Sequence, residues 1–270
     1  MSGIKQLLII GYGNMSGAML AGWLAAGEPP ERFAILNRTL KPGPEGVAVY
    51  RDIDEAVHAG SHDAVMLGFK PQQLGDVAPD LQGLTGKGVG VYSLLAGLSL
   101  AQLKHAFPDA DAHVRVMPNL ASRINRSPII LLEDGLSADL HGEVSDFFDT
   151  LGTAVWLNAE DRFDLATALA GSGPGFVYRF IDALAGAASE LGLEKDQAQA
   201  LAASMVDGAS SLAAGETISP GELANRVASP GGMTREGMNV LDADQALQKL
   251  LVETLRATAA RGAELSAGNG

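Results

Sequence analysis

The sequence predicts an α/β fold, with a doubly wound sheet domain followed by an all-α domain, and two observations predict it. Short apolar runs alternate with helical patterns to about residue 158. This alternation is typical of a parallel sheet whose two faces are covered by helices. From about residue 160 the apolar spacing changes to the period of amphipathic helices. We therefore expect a sheet domain over residues 1–158 and a helical domain over residues 159–270.

The first domain is predicted to alternate strands and helices throughout. Runs such as Leu7–Ile10 are apolar at every position, which indicates strands buried on both faces. Helices are predicted directly after the first strand, from Pro71 onward and over residues 137–150. A further short helix is predicted after Asp52, because Asp52 and Glu55 have the spacing of a capping box. The strands are predicted at residues 7–10, 33–37, 63–69, 89–95, 113–119, 127–133 and 153–158.

The second domain carries three apolar helical stripes, which together hold more apolar surface than about 110 residues can bury alone. The sequence therefore predicts a homodimer, or a homo-oligomer built from dimers, joined through the C-terminal helices. A self-contained helical bundle is the alternative. The stripes consist of Phe176, Phe180, Leu184, Ala187 and Leu191; of Ala198, Leu201, Met205, Ala209 and Leu212; and of Leu247, Leu250, Leu251, Thr254, Leu255 and Leu265.

Composition excludes several classes of partner and site. The formal net charge of −13 opposes binding to nucleic acid and to anionic membranes. The chain has no cysteine, which rules out disulfides and thiolate nucleophiles, and its five histidines show no metal-binding spacing, so no metal is expected. The first apolar run is too short for a signal peptide or a membrane span. We expect a cytoplasmic protein that acts on a small molecule.

The turn "GYGNMSG" (11–17) lies between the first strand and the first helix. Gly11 allows a tight turn, Gly13 allows a pyrophosphate to approach the backbone, and Ser16 is small enough for close packing of the helix on the strand. The turn predicts a Rossmann-type dinucleotide site, with an ordinary strand-to-helix turn as the alternative.

The end of the second strand distinguishes between the two nicotinamide cofactors. An NAD site places a carboxylate there for the ribose 2′-hydroxyl, whereas this chain has Asn37, Arg38 and Thr39. A guanidinium beside a hydroxyl suits a 2′-phosphate. We predict NADP as the cofactor, with NAD as the second choice and a solvated Arg38 as the alternative without a ligand.

A second glycine-rich turn, "SPGGMT" (229–234), interrupts the helices of the C-terminal domain. Gly231 and Gly232 directly before a helix leave backbone N–H groups uncovered at the positive end of the helix dipole. Thr234 adds a hydroxyl beside them. The turn predicts an anion site that needs no basic side chain. The alternative is a helix–helix turn capped by the threonine.

Seven motifs together resemble the pyrroline-5-carboxylate reductase family. The resemblance spans residues 5 to about 265 and implies a Rossmann domain that binds NAD(P)H and a helical domain that interlocks with a partner. It also implies reduction of 1-pyrroline-5-carboxylate to L-proline, the last step of proline biosynthesis. The motifs are "GYGNMSG", "NRT" (37–39), "GFKPQ" (68–72), "SLLAG" (93–97), "RVMPN" (115–119), "GSGPGF" (171–176) and "SPGGMT".

The same resemblance implies roles for individual residues. The SPGG-x-T turn would bind the substrate carboxylate through backbone amides, with Thr234 near the ring nitrogen as the catalytic residue. The substrate-binding set is Ser229, Gly231, Gly232, Met233 and Thr234. The cofactor-binding set is Gly11, Gly13, Asn14, Met15, Asn37, Arg38, Thr39, Lys70, Pro71, Ala96, Gly97 and Asn119, of which Lys70, Pro71, Ala96 and Gly97 would border the nicotinamide.

Two departures from the family pattern leave the exact substrate open. Ala121 stands where the family has proline, and Met233 stands where many members have threonine or alanine. A related NADP-dependent reductase of another cyclic imine carboxylate is therefore an alternative, as is a non-catalytic NADP-binding protein. A β-hydroxyacid dehydrogenase is disfavoured, because the helix after "GSGPGF" carries Arg179 and no lysine before Lys195.

Overall fold

The computed structural model describes residues 4–38, 42–60 and 62–268, with side chains described as far as residue 265. The strands are β1 Leu7–Ile10, β2 Phe33–Leu36, β3 Ala48–Tyr50, β4 Ala64–Leu67, β5 Gly90–Ser93, β6 Ala112–Met117, β7 Ser127–Asp134 and β8 Gly152–Trp156. The helices are α1 Asn14–Ala25, α2 Ile53–Ala59, α3 Leu74–Val77, α4 Leu100–Ala106, α5 Ala138–Asp149, α6 Phe163–Ala166, α7 Gly173–Glu190, α8 Lys195–Gly215, α9 Pro220–Val227, α10 Met233–Asp242 and α11 Ala246–Gly268.

The strands form one sheet in the order β3-β2-β1-β4-β5-β6-β7-β8. Neighbouring strands are parallel except β6 and β7, which are antiparallel. The order reverses between β1 and β4, so a crevice opens there at the carboxyl edge, where ligands of doubly wound sheets bind. The predicted Rossmann-type fold is confirmed. The sequence did not predict the edge strand β3, which is three residues long and mostly exposed.

The sheet is covered on both faces, which explains why its inner strands are apolar throughout. On one face Trp23 of α1 stacks on Phe33 and on Phe147 of α5, with ring centroids 5.4 and 4.7 Å away. On the other face Leu103 of α4 and the following Phe107 are completely buried among residues of β1, β4 and β5. In sheets covered in this way, ligands bind at the carboxyl ends of the strands.

The chain divides into two compact units, each defined by the contacts within it. One unit runs to Ser172 and resumes at Thr258, and the other is Gly173–Ala257. The sequence pattern changes to helical at residue 159, before the boundary between the two units. The segment from residue 159 to Ser172 is helical, but its contacts place it in the unit that contains the sheet. Phe163 of this segment is buried against Ile130 and Leu132 of β7.

The second unit leaves most of its large apolar side chains in contact with solvent. Its buried cluster consists of three alanines, Ala185, Ala198 and Ala202, on the facing helices α7 and α8. By contrast Leu191 is 89% exposed and Leu212 is 61% exposed. The stripes are therefore not buried within a self-contained bundle. Within the described part of the chain, no helix combines the length and apolar character needed to cross a membrane.

Candidate functional site

The turn after β1 can be made only by glycine. Gly11 has φ +92°, and a Cβ on it would lie 2.9 Å from the carbonyl carbon and oxygen of Gly68 and from the nitrogen of Phe69. A Cβ on Gly68 would in turn lie 2.8 Å from the carbonyl oxygen of Gly11. The ends of β1 and β4 thus touch through their backbones, and a side chain on either glycine would separate them.

The side chain of Ser16 fixes the shape of this turn through two hydrogen bonds. Its buried hydroxyl donates to the carbonyl oxygen of Gly11 over 2.7 Å and accepts from the N–H of Gly13 over 3.0 Å. No side chain caps α1 within the described residues, and its first turn holds no acidic residue. The first N–H groups of a helix have no intrahelical partner. The amides of Asn14 and Met15 therefore stand at an uncapped helix start, the kind of position at which proteins bind anions.

A cleft of about 450 Å³ lies at the carboxyl ends of β1, β2, β3 and β4. Of the residues predicted to bind the cofactor, it brings together Gly11, Gly13, Asn37, Arg38 and Lys70. It also contains residues that the sequence did not single out, among them an arginine that follows the unpredicted strand β3. The full lining is Ile10, Gly11, Tyr12, Gly13, Leu36, Asn37, Arg38, Arg51, Asp52, Ile53, Gly68, Phe69, Lys70, Gln73, Val77 and Leu81.

The remaining predicted cofactor residues lie around this cleft or beyond the described residues. Asn14 and Met15 begin α1 next to it, and Pro71 follows Lys70 at the start of a short 3₁₀ turn. Ala96 and Gly97 lie in the loop after β5, the former exposed and the latter buried. Thr39 falls outside the described residues.

Asn119, directly after β6, uses its side chain to brace the surrounding backbone. Its Oδ1 accepts from the N–H of Ala121 over 2.8 Å, and its Nδ2 donates to the carbonyl oxygen of Ala170 over 2.9 Å. Ala170 belongs to a π-helical turn, Thr167–Gly171, a form of helix often found at functional sites. The amide of Asn119 therefore connects the end of β6 to this turn.

An ion pair that is buried only on its arginine side connects three segments near the loop after β5. Arg115 of β6 is almost fully buried, and its Nη1 lies 2.7 Å from Oε1 of Glu160. The same oxygen accepts from the N–H of Leu100, the first residue of α4, over 2.8 Å, and the guanidinium lies 3.7 Å from the ring centroid of Phe163. Burial lowers the pKa of Arg115, and the bond to Glu160 opposes that shift. The pair anchors the loop that carries Ala96 and Gly97.

Replacing Arg115 with methionine is expected to lower the free energy of unfolding by about 1.5–3 kcal/mol, the range for a hydrogen bond to a charged group. Methionine occupies a similar space but cannot bond to Glu160, whose side chain is 37% exposed and retains water contact. Urea unfolding measures the loss. The double variant with Glu160→Gln should lose less than the sum of the two single variants. An Arg115→Met protein with an unchanged unfolding midpoint would show that the pair contributes nothing.

In the second unit, the "SPGGMT" turn joins α9 to α10. Gly231 has φ +70°, and a Cβ on Gly232 would lie 2.7 Å from Oγ of Ser229. The N–H of Gly232 donates to the carbonyl oxygen of Ser229, and no side chain caps α10 among the described residues. The amides of Met233 and Thr234 stand at the start of α10, where they have no intrahelical acceptor. Both side chains are exposed, Met233 by 93%.

The side chain of Arg235 hydrogen-bonds across the turn between α9 and α10, a role that the sequence did not indicate. Its Nη2 donates to Oδ1 of Asn225 over 3.1 Å and to the carbonyl oxygen of Ala228, the last residue before the turn, over 3.0 Å. Ala228 is buried. The side chain of Arg235 therefore joins α10 to α9 and to the residue that precedes the turn.

Comparison with known proteins identifies the family. A family model described as pyrroline-5-carboxylate reductase dimerisation matches residues 160–265. Pyrroline-5-carboxylate reductase 2 of Bacillus subtilis (strain 168) is 32% identical, over 97% of this chain and 95% of its own. A solved reductase from Coxiella burnetii is 30% identical with a TM-score of 0.90, over 97% and 99% of the two chains. A Plasmodium falciparum pyrroline carboxylate reductase solved with NADP bound shares the fold, at 21% identity, with a TM-score of 0.82 and coverage of 98% and 100%. The chain belongs to the pyrroline-5-carboxylate reductase family.

Proposed function

We propose that the protein reduces 1-pyrroline-5-carboxylate to L-proline with NADPH, as the last step of proline biosynthesis. The observation that carries the proposal is the start of α10, in a chain that belongs to this family. Gly231 and Gly232 shape a turn that leaves the amides of Met233 and Thr234 without an intrahelical acceptor. Such a helix start binds a carboxylate without a basic side chain.

The residues at the first glycine turn fit a dinucleotide. The backbone of Gly11 and Gly13 can approach a pyrophosphate closely, and the amides of Asn14 and Met15 can bind its oxygens. Asn37 and Arg38 line the cleft on the side of the adenosine ribose, and Arg38 favours the 2′-phosphate of NADP over the hydroxyl of NAD. Thr39 is assigned to the same end.

The nicotinamide end is assigned to residues that follow β4, β5 and β6. They are Lys70, Pro71, Ala96, Gly97 and Asn119. When bound, the reduced nicotinamide supplies a hydride to the imine carbon of the substrate. The chain's own contribution at this end is to hold the loops in place, through the Arg115–Glu160 pair and the side chain of Asn119.

On the substrate side, the amides of Gly231, Met233 and Thr234 bind the carboxylate, and Ser229 with Gly232 sets the shape of the turn. The hydroxyl of Thr234 lies near the ring nitrogen, where it orients or delivers the proton that stays on the product amine. A protonated imine is already an electrophile, so no strong side-chain acid is required. Positioning of the reactants accounts for most of the acceleration.

The protein acts as a homodimer, or as a larger assembly of dimers, through its C-terminal helices. Supporting this, the apolar stripes of α7 and α8 remain exposed in the single chain, with Leu201 at 60% and Phe180 at 47%. Burying this apolar surface between two subunits stabilises the dimer by about 25 cal/mol for each Å². We assign the enzyme to the cytoplasm, since no basic surface for membranes or nucleic acid is expected at a net charge of −13.

The proposal is tested by following the loss of NADPH absorbance in the purified protein on addition of 1-pyrroline-5-carboxylate. Substrate-dependent oxidation with formation of L-proline is expected. The six-membered imine carboxylate is the control, because Met233 and Ala121 depart from the family pattern. Turnover of the six-membered ring alone would assign the protein to a different imine, and no turnover of either would contradict the proposal.

Replacing Arg38 with aspartate is expected to shift the preference from NADPH towards NADH. A carboxylate at this position repels a 2′-phosphate and accepts a hydrogen bond from a 2′-hydroxyl. The side chain of Arg38 is 73% exposed and its contact with Asp80 is 3.9 Å long, so the fold does not depend on it. The ratio of kcat/KM for the two cofactors measures the shift. An unchanged ratio would remove Arg38 from the cofactor site.

A further inference from the structure

We propose that Arg51 is a second specificity-determining residue, which binds the 2′-phosphate of a 2′-phosphorylated adenosine cofactor together with Arg38. The inference rests on the proposed cofactor site and adds a residue that the sequence did not indicate. Arg51 lies directly after β3, a strand too short and too exposed to be recognised from its apolar pattern.

The sheet register places the two arginines on neighbouring strands, one position apart. β2 and β3 are parallel neighbours in which Leu36 pairs with Tyr50, and the N–H of Asn37 donates to the carbonyl oxygen of Tyr50 over 3.0 Å. Arg51 is therefore opposite Asn37, one residue before the position opposite Arg38. Both arginines line the cleft of about 450 Å³ that contains Gly11 and Gly13.

The positive charge of Arg51 is not neutralised by its neighbours. The nearby carboxylate of Glu55 accepts from the backbone N–H of Arg51 over 2.9 Å, and that of Asp52 accepts from the N–H of Glu55 over 2.8 Å. These bonds join carboxylates to backbone groups, and the guanidinium of Arg51 forms no ion pair within the described ranges. The Arg38–Asp80 contact, at 3.9 Å between exposed groups, is weak.

Two guanidinium groups match the charge and shape of a phosphate better than they match a hydroxyl. A phosphate monoester carries close to two negative charges and offers three acceptor oxygens, to which arginine forks donate in pairs. The cleft adds an apolar wall of Ile53, Val77 and Leu81, which suits an adenine ring next to the ribose. With a 2′-hydroxyl in its place, Arg51 would have no anionic partner among the described residues, and Arg38 would have only its weak contact with Asp80.

Calorimetric titration of the full-length protein with 2′,5′-ADP and with 5′-AMP tests the inference without any turnover. We expect Arg51→Gln to weaken 2′,5′-ADP binding by about 10-fold, the size of one charge-assisted hydrogen-bonded contact, and to leave 5′-AMP binding within about twofold. The matched control is Lys104→Gln. It removes the same charge from the same unit, at an exposed lysine 3.0 Å from Asp134, and should leave both affinities unchanged.

Two results would overturn the inference. One is an equal loss of affinity for 2′,5′-ADP and for 5′-AMP in Arg51→Gln, which would show that the substitution disturbs the whole cleft. The other is an Arg51→Gln affinity for 2′,5′-ADP equal to that of Lys104→Gln. Binding of 5′-AMP also reports that the variant is folded. The test is separable from the proposed function, because the wild-type protein can prefer 2′,5′-ADP whether or not it reduces 1-pyrroline-5-carboxylate.

Discussion

Replacing Gly11 with alanine is expected to lower NADPH affinity by on the order of 100-fold and stability by about 2–4 kcal/mol. Two separate costs add. The backbone at φ +92° is unfavourable for any residue with a Cβ, and that Cβ would lie 2.9 Å from the backbone of Gly68 and Phe69. Relief of the contact must separate the ends of β1 and β4, which moves the first turn of α1 away from its anion-binding position.

Gly17→Ala is the matched control for Gly11→Ala. It lies in the same helix-turn segment, and its Cβ would meet only the ring of Tyr12 at an ordinary distance of 3.5 Å. Within a helix, alanine is favoured over glycine by about 0.5–1 kcal/mol, so this variant should be at least as stable as the wild type. Fluorescence titration with NADPH and thermal unfolding measure the two effects. A Gly11→Ala protein that binds NADPH as tightly as Gly17→Ala would contradict the assigned turn.

Replacing Thr234 with alanine is expected to lower kcat by about 10- to 1000-fold, the range bracketing the loss of a proton-transfer group. The amide of residue 234 remains in the variant, so the carboxylate site at the start of α10 is retained. KM for the imine should therefore change much less than kcat. Because Thr234 is exposed in the single chain, the substitution creates no cavity and is expected to be neutral for folding.

Thr234→Ser is the control for Thr234→Ala, since it keeps the hydroxyl and removes only a methyl group. Serine should retain most of the wild-type kcat, and steady-state kinetics on the three proteins measures the difference. Wild-type turnover by Thr234→Ala would refute the role assigned to the hydroxyl. A raised KM with unchanged kcat would place Thr234 in substrate binding alone.

The sheet was predictable because apolar runs encode burial. β1, β2 and β4 are buried at every position, and each is a continuous apolar run in the sequence. Strand direction is not encoded in such runs, so the antiparallel pairing of β6 with β7 was not predicted. β3 was not predicted because it is a short edge strand whose mostly exposed residues form no apolar run. The exposed C-terminal stripes were predictable as an excess of apolar helical surface.

The turns of the candidate site were predictable for a related reason. A glycine pair in a turn before a helix indicates a backbone with positive φ, which favours glycine, as Gly11 and Gly231 illustrate. Side chains that act across the sheet carry no such local signal. The Arg115–Glu160 pair joins residues 45 positions apart, and Arg51 follows a strand that only the fold reveals. The bonds of Arg235 depend on how α9 and α10 meet at the turn between them.

The most direct test is a crystal structure of the protein with NADP⁺ and L-proline bound. We predict a carboxylate oxygen of proline within about 3 Å of the backbone nitrogen of Met233 or Thr234, at the start of α10. A proline carboxylate held elsewhere by a basic side chain, with the 229–234 turn packed only against apolar groups, would contradict the account.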